Sequence, residues 1–413
     1  MTEPLGAAGP ATWTDGGLSP GEEVLGSLLT LSRRLHPDDV PAAVDEHARR
    51  LGATEALIHL VDLEQRVLLP LPRGSGPPGD PLDIDSTLAG RSFRAQEILE
   101  GEAEGGGRRL WLPLLDGAER LGVLAVAVPE IDELCARRLT WLASLVADLV
   151  MTKSAYGDSL VLARRRRSMR VAAELRWSML PPLSFSSEHV EIAAVLEPAY
   201  EVAGDSFDYA VNGSVAHVAV YDAMGHGLEA SRMANLAGAI HRHGRRHGAT
   251  LEATYMAVDA GITAAFGEDH FVTGQLASLD LGTGRLAFVS GGHPRPLLLR
   301  GTAVVGALPA TVSTPMGLGR PPTVNEAQLE PGDRVVFYTD GVVEARSPTG
   351  EEFGIERLGD LLQRAAAAQE LPAEMMRRLT HSVMAHEAGQ LHDDATLLLI
   401  GWRAAMAAQG SGR

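Results

Sequence analysis

Beyond an opening stretch, Met1 to Pro20, that is rich in Gly, Ala, Pro and Thr and reads as disordered, apolar positions fall at helical spacing. Leu25, Leu28, Leu29 and Leu31 form a stripe on a helix over Val24 to Leu35, and Pro41 to Leu51 repeats the pattern. Two strand-like runs follow, Ala56 to Val61 and Arg66 to Leu71, and then a Gly/Pro loop from Pro72 to Pro81. A helix is expected over Ser86 to Glu97, capped by Asp85 or Ser86, with Leu88, Ser92 and Ala95 on one face. Arg109 to Leu115 and Arg120 to Val128 read as antiparallel strands joined at Asp116-Gly117, and Glu130 to Met151 as a long apolar-faced helix. Residues 21–152 thus have the element order of an α+β sandwich. From Lys153 to Leu180 the pattern predicts one continuous helix ended by Pro181-Pro182. Val161, Ser168, Ala172, Leu175 and Met179 give it a short coiled-coil seam, interrupted by Arg165, so residues 153–181 are expected to be a helical linker that joins two copies into a homodimer. The run Arg164 to Arg167 reads as a solvated helix face, with an anion-binding patch as the alternative.

In the C-terminal half the strands end in acids. Glu191 to Leu196 is a strand, and Val202-Ala203-Gly204-Asp205 follows at a turn where glycine lets backbones approach closely. Val215 to Tyr221 ends in Asp222, after which Ala223-Met224-Gly225-His226-Gly227 opens a helix. Arg334 to Tyr338 leads to Asp340-Gly341, and His392-Asp393-Asp394-Ala395-Thr396 precedes the strand Leu397 to Ile400. A single strand-end Asp often caps a turn or helix. Four strand ends bearing Asp beside Gly, Ala or a second Asp do not suit that reading, because gathered carboxylates repel unless protons or cations neutralise them. With no His or Cys cluster at ligand spacing, an all-oxygen set points to Mg²⁺ or Mn²⁺ rather than zinc. Two such ions can bridge a water, lower its pKa and stabilise an in-line displacement at phosphorus, which makes phosphoester hydrolysis the expected chemistry.

Composition narrows the setting. A chain of 413 residues is too long for one ordinary domain. Its 36 basic and 53 acidic residues give a net charge of −17, which argues against nucleic acid or an anionic membrane as the main partner. The single cysteine, Cys135, cannot form an intrachain disulfide and is expected to be a small buried residue. No stretch is long and apolar enough to span a bilayer and the start lacks signal-peptide features, so a cytoplasmic location is expected.

Two resemblances follow from these residues. The strand Leu110-Trp111-Leu112-Pro113-Leu114 and the strand Leu121-Gly122-Val123-Leu124-Ala125-Val126, in their element order, resemble a GAF sensor domain. That family binds cyclic nucleotides, haem, bilins or nothing, so a small-molecule ligand and a ligand-free dimerisation module both stay open; His59 reads as a core or surface histidine rather than a haem ligand. The second resemblance is more specific. Glu201 to Asp208, Asp222 to Gly227, Ser290-Gly291-Gly292-His293, Pro315 to Leu318, Gly332 through Gly341, Glu344-Ala345 and Asp393 to Thr396 look like the ordered motifs of bacterial PPM-type phosphatases of the SpoIIE/RsbU class. Even Ala173 to Pro181 is similar to the segment that precedes their catalytic domain.

The resemblance implies an α-β-β-α sandwich over residues 182–403, followed by a disordered tail at 404–413, with two divalent cations, Mn²⁺ or Mg²⁺, at one edge. Asp205 and Asp222 would hold or bridge the metals, the Ala223 carbonyl would add a ligand, and Asp340 and Asp393 would complete the set, with Asp394 as a supporting partner or alternative ligand. Asp208 stays undecided, and Ala203-Gly204-Asp205 departs by one methyl from the usual Gly-Gly-Asp. His226 stands where it could protonate the leaving serine oxygen, against the alternative of a helix-start residue bonding backbone; His293 reads as a loop organiser, and Arg295 is the only guess for a phosphate-binding arginine. The implied activity is hydrolysis of phosphoserine or phosphothreonine by water held between the metals. The implied substrate is a phosphoprotein, a STAS-domain anti-sigma-factor antagonist, with the N-terminal domain as regulator. A catalytically silent scaffold in a partner-switching pathway is the alternative.

Overall fold

The computed structural model describes residues 19–73, 79–103, 106–201, 204–389 and 391–403. The expected disordered start and tail, and Val202-Ala203 of the turn before Asp205, fall outside them, apart from Ser19, Pro20 and the first residues of the domain.

In the N-terminal domain, helices α1 (Pro20–Ser32) and α2 (Val40–Arg50) precede strands β1 (Glu55–Val61), β2 (Val67–Pro70) and β3 (Leu82–Asp83). Helix α3 (Leu88–Ala95), strands β4 (Leu99–Glu102), β5 (Arg108–Asp116) and β6 (Glu119–Val128), and helix α4 (Glu133–Lys153) complete it. The six strands form one antiparallel sheet in the order β3-β2-β1-β6-β5-β4. Strand β6 is buried along its whole length because the sheet is covered on both faces. Ile58, Leu60, Leu112, Leu124 and Val126 pack under α1, α2 and α4, while Val61, Leu68 and Val123 pack under Phe93 of α3. Helix α3 is shorter than expected and is capped by Thr87, whose hydroxyl accepts from the Gly90 amide. Its buried face is Ala89, Gly90, Ser92 and Phe93, and Leu88 points outward. Cys135 is half-buried rather than buried, with its thiol pKa pushed up by desolvation and by Asp132. His59 is buried edge-on to Trp111, and desolvation pushes its pKa down to about 4, so it is neutral.

The continuous linker helix is not formed. Helix α4 stops at Lys153, α5 (Ser159–Leu162) is a single turn, and after an irregular stretch α6 (Val171–Trp177) begins. The four arginines explain the break, because their partners lie in directions that no single helix face could reach. The Arg164 carbonyl accepts from the Leu63 amide while its Nε donates to the Val61 carbonyl. Arg165 forks onto Glu174, Arg166 pairs with Glu64, and Arg167 bonds Glu64 and lies over Tyr200. The run is therefore an anchor between segments, neither a solvated helix face nor a free anion patch. Val161 and Ser168 are exposed on separate segments and Ala172 is buried within the chain, so the coiled-coil seam, and with it the basis for a dimer through this helix, is absent.

The C-terminal domain is the expected α-β-β-α sandwich. One sheet has the order β14-β13-β17-β18-β8-β7, built from β7 (Ser184–Ser186), β8 (Val190–Glu197), β13 (Leu297–Arg300), β14 (Ala303–Ala307), β17 (Arg334–Tyr338) and β18 (Ala395–Trp402). The other runs β15-β12-β11-β10-β9, with β16 (Asn325–Gln328) also pairing β12. Its strands are β9 (Asp205–Asn212), β10 (Val215–Ala223), β11 (Val272–Asp280), β12 (Arg285–Gly291) and β15 (Val312–Ser313). Period-two alternation sorts the side chains: on β8, Ile192, Ala194 and Leu196 enter the core between the sheets, while Ala193 and Val195 face the opposite way. Helices α7 (Gly227–Arg246) and α8 (Leu251–Phe266) cover one sheet; α9 (Asp340–Val343), α10 (Ile355–Ala367) and α11 (Pro372–His386) belong to the other.

The two domains meet through charge. Arg120 of β6, 4% exposed, donates to Glu374 at 2.9 Å, to the Gln65 side chain at 2.8 Å and to the Ala373 carbonyl at 3.0 Å. Arg377 of α11, 1% exposed, forks onto Glu374 at 2.9 and 2.8 Å and reaches Asp85 at 2.5 Å and the Gln65 carbonyl at 3.1 Å. Glu119 accepts from the Ser184 amide at 2.7 Å, and His381 lies 2.8 Å from the Glu64 carbonyl.

Breaking a buried network strands the remaining charges, so Arg377→Ala is expected to cost about 3–5 kcal/mol of unfolding free energy. Arg108→Ala, which removes the exposed pair with Glu100, is expected to leave stability nearly unchanged. Urea unfolding of the full chain measures both, and equal effects would contradict this account of the interface.

Candidate metal centre

Five aspartates from both sheets gather at one end of the sandwich. Asp205 opens β9 and lies directly across the ladder from Asp222 near the end of β10, so their side chains share a face. Asp340 follows β17, and Asp393 and Asp394 precede β18, in the opposite sheet. Close backbone approaches bring the segments together. A Cβ on Gly204 would stand 1.9 Å from the Ala223 carbonyl oxygen, and one on Gly341 would stand 2.1 Å from that of Asp394. Neither position admits a larger residue without displacing the backbone that bears an acid.

Hydroxyls bind the sheets to each other. Asp205 is 2% exposed, and its Oδ2 accepts from Thr339 at 2.7 Å and from Thr396 at 2.6 Å, both donors from the opposite sheet. Thr339 also accepts from the Thr396 amide at 3.0 Å. Asp394 Oδ2 accepts from the Asp205 amide at 3.1 Å and from Arg176 of α6 at 3.1 Å. On the other side Thr273 reaches the Asp222 carbonyl at 3.3 Å and lies 3.1 Å from Nδ1 of His293. His293 is buried and its pKa is pushed down to about 4 by desolvation. Its carbonyl accepts from Ser290, which makes this neutral histidine an organiser of its loop.

The acids hold one another's protons. Asp205 is raised well above the carboxylate range by burial and by the charges of Asp222 and Asp394, against the opposing hydroxyl bonds. Asp222 is pushed up to about 7 by burial, Asp340, Asp393 and Asp394. Asp393, exposed at the rim, is raised by partial desolvation and by Asp340 and Glu387, with the Asp394 amide opposing. A cluster with these shifts and only oxygen donors fits hard divalent cations, whose charge would remove the repulsion. Among the described residues no group of three or more acidic, His or Cys side chains is drawn close enough together to hold a metal ion as it stands. Beside it lies a depression of about 690 Å³ lined by Asp340, Glu344, Arg346, Glu387, His392 and Asp393.

Of the residues singled out in the sequence, Asp205, Asp222, Asp340, Asp393 and Asp394 converge, and the Ala223 carbonyl stands against Gly204. His226 is exposed at the start of α7 and makes no cap bond with the helix backbone. Asp208 is elsewhere, bonded to His241, Arg242 and Arg245 under α7. Arg295 is exposed and close enough for its charge to act on Tyr338. Thr339 and Thr396 lie inside motifs quoted from the sequence but were given no role, and Arg176 carried no signal beyond being a lone cation among Ala172, Ala173, Leu175 and Trp177.

Comparison with known proteins places the similarity in this domain. Residues 212–403 match the model of the family described as stage II sporulation protein E (SpoIIE). Protein IcfG of Synechocystis is 25% identical over 273 residues, covering 57% of this chain but only 41% of its own length. The phosphoserine phosphatase RsbU of Bacillus subtilis is 22% identical over 244 residues, 57% of this chain and 70% of that protein. The solved structure of the RsbU and RsbW domains of Rv1364c from Mycobacterium tuberculosis aligns with a TM-score of 0.48 and 27% identity, over 55% of this chain and 64% of that one. The C-terminal domain, with its two sheets closed over paired aspartates, is similar over residues 212–403 to the SpoIIE family of phosphatase domains.

Proposed function

We propose that the chain is a divalent-metal-dependent protein serine/threonine phosphatase whose C-terminal domain removes phosphate from a regulatory phosphoprotein. The observation that carries this reading is the cluster of five mutually repelling aspartates at the open end of a SpoIIE-type sandwich. Asp205, Asp222, Asp340, Asp393 and the Ala223 carbonyl would hold two Mn²⁺ or Mg²⁺ ions, with Asp394 supporting from behind. Bound there, the ions would supply a water of lowered pKa and charge stabilisation at phosphorus. The protein's own residues do the rest. Thr339 and Thr396 occupy Oδ2 of Asp205 and so orient its other oxygen. The depression beside Asp340 and Asp393 gives a phosphorylated loop room to enter. His226, exposed at the start of α7, would return a proton to the leaving serine oxygen.

The curated relative named as a phosphoserine phosphatase supports a phosphoserine substrate. Within that class the substrate is a STAS-domain anti-sigma-factor antagonist, and the N-terminal domain is a GAF-like regulatory module; its docking on α11 through Arg120, Glu374 and Arg377 supports a regulatory part. Among the described residues no helix is long and apolar enough to cross a membrane.

Purified full-length protein with Mn²⁺ is expected to hydrolyse p-nitrophenyl phosphate and phosphoserine peptides, and chelation to abolish turnover. Asp222→Asn should lower kcat/KM by on the order of 10³-fold, the several kcal/mol that a metal contributes. A wild-type protein as inactive as the variant would leave a silent scaffold as the better description.

Acid repulsion also sets a pH signature. Asp222 binds its proton more tightly folded than unfolded, so its contribution to stability is complete below about pH 4 and is lost as pH rises through about 7. Chelator-treated protein should therefore melt at a lower temperature at pH 8 than at pH 5.5, by about 2–4 °C per kcal/mol lost. Mn²⁺ should reverse that order. Thermal melts across this range check it, and a metal-free protein that gains stability with rising pH would count against the cluster.

A further inference from the structure

The segment that enters the C-terminal domain reaches the acid cluster itself. Arg176 sits on α6, five residues before Pro181, and although charged it is 1% exposed. Nη1 donates to Asp394 Oδ2 at 3.1 Å, and Nη2 donates to the carbonyls of Pro198 at 2.6 Å and Glu201 at 3.3 Å. Asp394 Oδ2 in turn accepts the amide of Asp205 at 3.1 Å. One guanidinium therefore ties together three pieces of chain: α6, the turn at the end of β8 that leads towards Asp205, and the Asp393-Asp394 pair.

We propose that Arg176 is a positioning residue of the metal centre: it holds Asp394 and the Pro198 to Glu201 turn so that Asp205 and Asp393 present their carboxylates to the ions. The inference rests on the metal reading above and adds that affinity for the ions depends on the docking of α6. That docking is itself well bonded. Ser231 and Asn235 of α7 donate to the carbonyls of Ala172 and Leu175, Arg242 donates to that of Met179, and Trp177 donates to that of Ala199. Ahead of α6, Arg165 grips Glu174, and Arg166 and Arg167 grip the acids of the N-terminal domain.

Two effects of the guanidinium oppose each other, and their balance can be measured. Its charge repels incoming cations, which alone would make its removal tighten metal binding. Its bonds fix two ligand-bearing segments, and loss of such supporting contacts typically weakens metal affinity about 10–100-fold. With the side chain buried and bonded to three acceptors in a fixed fork, positioning outweighs repulsion.

The test is calorimetric titration of Mn²⁺ into chelator-stripped full-length protein, with circular dichroism to verify folding. Arg176→Gln is expected to bind Mn²⁺ about 10–100-fold more weakly than wild type, and Arg176→Lys to fall between them. In an Asp394→Asn background, Arg176→Gln should weaken binding much less than it does alone, because the contact it serves is already gone. A folded Gln variant with wild-type affinity overturns the proposal, and so does one that binds more tightly, since Arg176 would then act only as a competing cation. If the Gln variant does not fold, the Lys variant decides by the same comparison: weaker binding supports the proposal and unchanged binding overturns it. Wild-type protein that takes up no Mn²⁺ would overturn the metal reading itself and this inference with it.

Discussion

Asp205 and Asp222 stand opposite each other on neighbouring strands, and without a proton or a cation between them they cannot both stay charged. Much of the C-terminal domain's architecture at that end is a response to this repulsion. The two sheets share a continuous apolar core, with Phe207, Val218, Val220, Phe337 and Leu398 inside it, and that core ends where the acids begin. There, hydroxyls from one sheet donate to a carboxylate of the other, and a buried arginine donates to the carboxylate behind it. These contacts occupy Oδ2 of Asp205 and Oδ2 of Asp394. On the proposed reading, cations bound there would relieve this repulsion and so stabilise the fold.

The same physics, with the opposite balance, joins the domains. Arg120, Glu374 and Arg377 are as buried as Asp205 and Asp394, yet with Asp85 their charges cancel and nearly every donor has an acceptor. Such a network adds little net stability over an apolar contact but tolerates only one arrangement of partners. Asp85, just before α3, and Gln65, between β1 and β2, are its N-terminal members, so the orientation of α11 is tied to the face of the N-terminal sheet that carries α3. Helix α11 packs in turn on β8 and β18, the strands that bracket Asp393 and Asp394 at one end.

How much of this was legible depended on whether a residue's role is local. The five aspartates could be read because each sits at one end of a strand beside Gly, Ala or a second Asp, a pattern complete within six or so positions. The sandwich was implied by the resemblance that the motifs carry, not by the runs alone. Thr339 and Thr396 could not be read as donors to Asp205, because that contact joins two sheets whose strands are about 130 and 190 residues apart in sequence. The linker failed for a related reason. Helical spacing from Val161 to Met179 is real, but Asp62 and Glu64, a hundred residues earlier, draw the arginines away from any one helical face. Helix α3 shows the error at smaller scale: of the face expected through Leu88, Ser92 and Ala95 only Ser92 is buried, beside Ala89, Gly90 and Phe93, and Thr87 supplies the cap in place of Asp85 or Ser86.

Asp208 shows why residue type alone does not mark a metal ligand. It lies three positions after Asp205 on β9, so the two point to opposite faces of the strand. Asp205 shares its side with Phe207 and Tyr209 and faces the other sheet, where acids and hydroxyls wait. Asp208 faces α7, where burial raises its pKa less than the His241 bond and the charges of His241, Arg242 and Arg245 lower it. Both are almost wholly buried, and both are aspartates of one motif. The first is a carboxylate kept short of positive charge, and the second has it in excess. A cation has something to add only at the first, and at the second the protein has already supplied it, fixing α7, and with it the loop from Ala223 to Gly227, against the sheet.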